Sequence, residues 1–332
     1  MNSDNLAVLG EFGFISRIAA VTRTGTGVVT GIGDDAAVTA LSPGMQLLTS
    51  TDMLLEDVHF RNSWHDPYRL GRKSLAASIS DIASMGGIPR WSLLSLAIPA
   101  GTPLDFLDEF TRGYLAMAGE HGVALIGGDT CSSKHGLAIS VTIMGEQTPE
   151  LILRRSGARP GDDIWATGTL GDAAMGLRLA EKSDEGDGFL LSRLLDPTPR
   201  TSAGMALAES GLVSAMIDIS DGILADFGHI AEMSGVGGII RLADLPLSPQ
   251  FQAAAARYPD LPHALALSGG EDYELCFTAH PDSREKIIPL MKKCGVEAAP
   301  VGIVTSSPEV VVHDAAGQPF HSSHQGFNHF ES

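Results

Sequence analysis

Apolar and polar positions along the chain alternate between a strand-like period of two and a helix-like period near 3.6, and Gly-Asp pairs punctuate the changeovers. A short apolar run from Val28 enters Gly31-Ile32-Gly33-Asp34-Asp35, and Gln46 to Thr51 predicts a strand ending at Asp52. Asp66-Pro67 reads as a helix start, and Leu75, Ile79 and Ile82 recur at i, i+4 and i+7 on a helix that also carries Asp81. Trp91 to Ile98 predicts a buried strand. Thr102-Pro103 then predicts the cap of a further helix, which Gly122 stops. Val123 to Ile126 predicts a strand running into Gly127-Gly128-Asp129, and Leu137 to Gly145 predicts another.

Gly157-Ala158-Arg159-Pro160-Gly161-Asp162 is a turn cluster suited to a junction, so a boundary is expected near 150, with domains 1–150 and 151–332. Beyond it the pattern predicts a strand at Ile164 to Thr167, a helix from Gly171, a loop over 183–188 and further helices to Glu209. A strand at Ala215 to Ile219 leads into Ser220-Asp221-Gly222 and a helix to Met233; Tyr273 to Thr278 predicts a strand after Gly269-Gly270-Glu271-Asp272. The expected fold class is α/β, in two domains.

Composition narrows the class. At 332 residues, against roughly 150 per domain, and with 44% hydrophobic and 19% charged residues, the chain can bury two cores. A net charge of −18 repels a phosphate backbone unless cations intervene, so no nucleic-acid partner is expected. Cys131, Cys276 and Cys294 form no C-x-x-C pair, which sets a reducing cytoplasm as the expectation. No uncharged apolar run reaches the ~18 residues of a membrane span, and no leader or membrane partner is expected.

Several familiar patterns fail on inspection. Gly31-Ile32-Gly33-Asp34-Asp35-Ala36 formally fits G-x-G-x-x-A, but two adjacent aspartates would repel a pyrophosphate unless metal lay between. Asp226-Phe227-Gly228 spells a protein-kinase triplet, yet no H-R-D loop accompanies it and it lies in a helical pattern. There is no P-loop, no H-E-x-x-H and no G-x-S-x-G, and Asp218 to Gly222 lacks the closing glutamate of a calcium loop. What remains is a recurrent set at strand ends, glycine turns and one helix: Asp34, Asp35, Thr51, Asp52, Asp81, Asp129, Asp218 and Asp221. Carboxylates converging in one cleft must take up protons or bind cations. Mg²⁺ is the natural partner, and several such ions imply a polyphosphate substrate. The residues alone suggest a metal-dependent nucleotide enzyme without a P-loop.

At these positions the sequence closely resembles the thiamine-monophosphate kinase family, a branch of the aminoimidazole-ribonucleotide-synthetase-like ATP-binding superfamily. The matching pieces run in order: Gly10-Glu11-Phe12, Gly31 to Ala36, Ser50-Thr51-Asp52, Val58-His59-Phe60, Ser80 to Gly86, Ile126 to Thr130, Arg155 to Ala158, Asp218 to Gly222, Leu267 to Leu275 and Gly326 to Phe330. The resemblance implies transfer of the γ-phosphoryl group of ATP to thiamine phosphate, in line and without a phosphoenzyme, in a homodimer paired through the N-terminal sheet. It also implies a cleft between the two domains. By the same resemblance Asp35, Ser50, Thr51, Asp52, Asp81, Asp129, Asp218 and Asp221 are expected magnesium ligands. Tyr114, Gly128, Asp129, Arg155 and Ser220 are expected nucleotide contacts, and His59, Glu271 and Phe327 thiamine-phosphate contacts. No covalent nucleophile or general base is expected, because a phosphate monoester is already a nucleophile near neutral pH.

The sequence departs from the family pattern at Asp57, where glycine is common, at Cys131, where threonine is frequent, and at Phe327, where tyrosine or tryptophan also occurs. Two alternatives stay open at this level: another enzyme of the superfamily, and a non-catalytic sensor of magnesium-nucleotide or thiamine phosphates.

Overall fold

The computed structural model describes residues 6–182, 188–257, 262–321 and 326. They divide into two compact units, one of 1–82 with 87–149 and the other of 83–86 with 150–332. Phe327 and most of the expected 183–188 loop lie outside the described residues.

In the first unit α1 (Leu6–Val21) precedes a ribbon of β1 (Val28–Thr30) and β2 (Val38–Thr39). Four strands, β3 (Gln46–Leu55), β4 (Ile88–Pro99), β5 (Ala124–Ser133) and β6 (Ala138–Gln147), make a sheet in the order β3-β6-β4-β5. All its pairings are antiparallel except β4 with β5, whose crossover carries α3 (Leu104–His121). The helix α2 (Pro67–Ser84) starts where its signals place it, with the Asp66 carboxylate accepting from the Arg69 N–H at 3.0 Å and Pro67 in the first turn. Leu70, Leu75, Ile79 and Ile82 are buried on its apolar side. Its crossing with α3 is close because both helices put glycine there. A Cβ on Gly71 would lie 2.0 Å from the Phe110 carbonyl oxygen, and one on Gly113 would lie 1.8 Å from that of Tyr68.

The second unit is built on a seven-stranded sheet of β7 (Asp163–Thr167), β8 (Val213–Ile219), β9 (Gly237–Arg241), β10 (Glu274–Ala279), β11 (Ala298–Thr305), β12 (Val310–His313) and β13 (Pro319–Phe320). Their spatial order is β13-β12-β9-β11-β7-β10-β8. The helices are α4 (Asp172–Glu181), α5 (Gly188–Leu195), α6 (Thr201–Ser210), α7 (Ile223–Ser234), α8 (Pro249–Ala255), α9 (Pro262–Ser268) and α10 (Arg284–Lys293). Alternate strand residues feed two separate cores. Ile164, Ala166, Ile217 and Cys276 join one with Phe227 and Phe251; Trp165, Met216, Leu275 and Phe277 join the other with Ile287 and Met291.

Both units are α/β, and three local expectations need correction. β3 does not end at Asp52 but continues to Leu55, because the alternation persists through Met53 and the buried Leu54. β5 does not stop before Gly127-Gly128-Asp129 but carries all three in its ladder with β4, after a register shift between Ser92 and Leu93. Thr102 does not cap α3: the cap position is Pro103, and no side chain bonds there.

Candidate functional site

In the first unit β3 and α2 position the chemistry. Ser50 and Asp52 are two apart on β3 and so share a face; Ser78 and Asp81 are three apart on α2 and so share a face of the helix. The two elements meet crosswise. The Ser50 hydroxyl donates to the Asp81 carboxylate, and the Ser78 hydroxyl donates to Asp52 at 2.6 Å. Burial pushes the Asp52 carboxyl above its ordinary pKa, while the Ser78 bond and the nearby His59 imidazole pull the other way. His59 follows β3 closely. Its Nδ1 accepts from the Leu55 N–H at 3.0 Å, so the neutral ring carries its proton on Nε2, as a donor.

The turn before His59 accounts for one sequence departure. Asp57 has φ 65°, a left-handed conformation that glycine adopts freely and aspartate tolerates better than most residues. The turn is closed by the Asp57 N–H donating to the Phe60 carbonyl at 2.8 Å and the His59 N–H donating to the Leu55 carbonyl at 2.9 Å. Asp57→Gly is therefore expected to leave stability within about 1 kcal/mol of wild type, whereas Asp57→Val lowers it by about 1–2 kcal/mol. Urea unfolding measures both, and equal stability for the two variants would contradict a left-handed residue 57.

Other expected ligands of this unit are placed elsewhere. Thr51 alternates to the opposite face of β3, with its hydroxyl 3.2 Å from both the Val141 carbonyl and the Thr142 hydroxyl, so its side chain does not join Ser50 and Asp52. The register Met53↔Ser140↔Ser95↔Asp129 puts the exposed Asp129 side chain on that same opposite face. Asp35 is exposed in the loop after β1, where its N–H donates to the Asp34 carboxylate at 2.9 Å. Gly128 admits no side chain, since a Cβ there would lie 1.7 Å from the Leu94 carbonyl oxygen. Tyr114 is 1% exposed and packs near Phe110 in the core face of α3.

In the second unit Asp218 is the last but one residue of β8 and buried, and Ser220 and Asp221 lead into α7. Asp226, in the first turn of α7, accepts from the N–H groups of both Ser220 and Asp221 at 3.1 Å. Burial, followed by the charges of Asp218 and Asp221, raises its pKa well above the ordinary carboxylate value. Glu271 lies against the same connection: its N–H donates to the Ser220 carbonyl at 2.8 Å, and the Tyr273 N–H donates to that of Ile219 at 2.8 Å. Glu271 and Tyr273 both hold left-handed backbone, at φ 71° and 50°. Arg155 is exposed, and its carbonyl accepts from the Ser234 hydroxyl at 3.2 Å.

The structure thus gathers Ser50, Asp52 and Asp81 in one place, and Asp218, Ser220, Asp221 and Glu271 in another. Among the described residues no three His, Cys, Asp or Glu side chains converge closely enough to hold a metal ion. The donors themselves suit magnesium, being carboxylate and hydroxyl oxygens. In the Asp218, Asp221 and Asp226 group, mutual repulsion is what a cation would relieve. Ser78 was not read from the sequence, and Asp226 was read only as part of the rejected kinase triplet. Ser78 belongs to no motif, although its spacing three before Asp81 was visible; an acid four residues after Gly222 at a helix start was a readable signal for Asp226.

The chain is similar to known proteins over nearly its whole length. Residues 33–147 match the family described as AIR synthase related protein, N-terminal domain, and residues 159–315 match its C-terminal domain. The chain is 38% identical over 329 residues to the thiamine-monophosphate kinase of Salmonella typhimurium, covering 97% of this chain and 98% of that protein. The crystal structure of thiamine-monophosphate kinase from Stenotrophomonas maltophilia superposes with a TM-score of 0.80 at 37% identity, covering 90% of this chain and 94% of that one. AaThiL complexed with AMPPCP and TMP superposes with a TM-score of 0.77 at 30% identity, covering 99% of this chain and all of that one. The chain belongs to the AIR-synthase-related proteins and, among them, to the thiamine-monophosphate kinase family.

Proposed function

We propose that the protein transfers the γ-phosphoryl group of ATP to thiamine phosphate, forming thiamine diphosphate and ADP. The observation that carries this reading is the crosswise Ser50–Asp81 and Ser78–Asp52 arrangement, in a chain alignable over nearly its whole length with thiamine-monophosphate kinases. The relative solved with an ATP analogue and TMP supports the same pair of substrates.

Asp35, Ser50, Asp52, Asp81, Asp129, Asp218 and Asp221 would hold magnesium, with Thr51 contributing backbone oxygen because its side chain faces away. Bound magnesium neutralises phosphate charge in the ground state and the charge that develops during transfer. The chain's own contribution is placement. His59 offers an Nε2–H to the phosphate of the acceptor, Glu271 offers a carboxylate to its cationic thiazolium, and Arg155, Ser220 and the bare backbone at Gly128 serve the nucleotide. The acceptor phosphate attacks in line without a phosphoenzyme. The active assembly is a homodimer through the first sheet, a reading supported by exposed Leu47 and Met53 on β3. The protein works in the cytoplasm: its three cysteines are free, and among the described residues no helix is long and apolar enough to cross a membrane.

Incubation with γ-labelled ATP, magnesium and thiamine phosphate, free thiamine or aminoimidazole precursors tests the reaction. Label is expected in thiamine diphosphate only with thiamine phosphate as acceptor. Transfer to a different acceptor would keep the superfamily chemistry and overturn the substrate; magnesium-ATP binding without any transfer would overturn the enzyme.

A further inference from the structure

Asp272 has no role in the chemistry above, although it adjoins Glu271 and is 1% exposed. Its carboxylate reaches the start of α4, a hundred residues earlier in the chain, accepting from the Gly171 N–H at 2.7 Å and the Ala173 N–H at 3.4 Å. Gly171 is the cap residue of that ten-residue helix and has no side chain to cap it, so Asp272 takes the place of a local cap. The Asp272 carbonyl in turn accepts from the Arg193 guanidinium at 3.0 Å. On either side, Glu271 and Tyr273 sit in left-handed backbone that non-glycine residues leave unless they are held. The holding contacts include the two backbone bonds to Ser220 and Ile219 and, between them, the Arg193 bond to the Asp272 carbonyl and the Asp272 carboxylate anchor on α4. Removing the carboxylate anchor loosens the segment between two strained residues, which then keeps its backbone bonds. Glu271 is the first group to lose its aim.

We propose that Asp272 is a positioning residue: by anchoring its segment to the α4 N-terminus it fixes where the Glu271 carboxylate stands for the thiamine-phosphate substrate. This rests on the kinase reading and on the Glu271 contact proposed with it.

The test is steady-state kinetics with both substrates varied, on the full-length wild type and the Asp272→Ala, Asp272→Asn, Glu271→Gln and E271Q/D272A variants, alongside their melting temperatures. Misplacing one contact group is expected to raise KM for thiamine phosphate about tenfold in Asp272→Ala, with KM for ATP within about twofold. Asp272→Asn keeps an oxygen for the Gly171 N–H and is expected to stay within about threefold of wild type. The double variant is expected to bind thiamine phosphate no worse than Glu271→Gln alone, since the anchor acts through that carboxylate. An unchanged KM for thiamine phosphate in Asp272→Ala, parallel rises in both KM values, or additive effects in the double variant would each overturn the proposal. If Asp272→Ala does not fold, Asp272→Ser is read by the same criteria, its hydroxyl being too short to reach α4. Wild type that transfers nothing to thiamine phosphate overturns the kinase reading itself, and this proposal with it; an active wild type with an indifferent Asp272 overturns only the latter.

Discussion

Asp52→Asn is expected to lower kcat by about 10²–10³-fold while leaving the melting temperature at or above that of wild type, an opposition that a merely structural aspartate would not show. The reason lies in where β3 puts the residue. Burial raises the Asp52 pKa, so at neutral pH the folded state keeps an ionised group that it would prefer protonated. The sign follows from linkage. A carboxyl whose folded pKa is raised adds most stability below its unfolded pKa, and that contribution is lost as pH rises through the folded value. Asparagine removes this cost and still accepts from the Ser78 hydroxyl, which holds the residue in place. What it removes is the negative charge for magnesium and the phosphates it would serve. Single-turnover transfer and a thermal melt on the same preparation check both halves. A loss of activity under tenfold would end the assignment of Asp52 to the metal, and a melting temperature several degrees lower would recast it as part of the scaffold.

Glu274→Ala is expected to have the largest effect on stability, about 3–5 kcal/mol. For a unit of this size that corresponds to a drop of roughly 6–20 °C in Tm. Glu274 is fully buried, with Arg193 at 2.8 Å, the Thr167 hydroxyl at 2.7 Å and Arg200 Nε at 2.7 Å. Burial alone would raise its pKa, but the two guanidiniums and the Thr167 bond outweigh it and the net direction is down. Its contribution is therefore present above the unfolded carboxylate pKa and is lost as pH falls through the lower folded value. Alanine leaves two arginines facing a space without their counter-charge, whereas glutamine keeps part of the hydrogen bonding and costs less. Chemical unfolding at neutral pH measures the order wild type, Glu274→Gln, Glu274→Ala; equal stabilities would mean that the arginines relax to solvent without loss.

These two residues also show what could be read from the chain in advance. Asp52 was legible because a carboxylate near the end of a strand, repeated at several such points, is a chemical pattern. Glu274 lies in an equally marked stretch, Gly269 to Leu275, yet its role is architectural: the resemblance singled out Glu271, which is half-buried, and assigned nothing to Asp272 and Glu274, which are sealed. The burial of Tyr114 was legible as well. Leu107, Phe110, Tyr114 and Met117 repeat at spacings of three, four and three, the signature of a buried helix face, and that signal was in the sequence. That Thr51 faces away from Ser50 and Asp52 follows from strand alternation alone, whereas the face of Asp129 was hidden because it depends on ladder register, and register requires partners that are distant in the chain. β9, β11, β12 and α8 to α10 went unread. β11 begins Ala-Ala-Pro and α10 contains Pro289, so long-range pairing and burial, not local propensity, decide their form.

The strand order of the second sheet has a bearing on how the protein is made. β7, β8 and β9 are the first of its strands to be synthesised, and among the described residues none of them pairs with another; β10, β11 and β12 lie between and beside them and supply their ladders. All five residues of β7 are buried in the finished fold, but its first partner begins at Glu274. At about 5–20 residues per second, a ribosome leaves that apolar strand without a ladder for roughly 5–20 s. The second unit thus cannot complete its sheet strand by strand as it emerges, and the nascent chain is a natural client for chaperones that shield exposed apolar segments until the strands from Glu274 onward have been made.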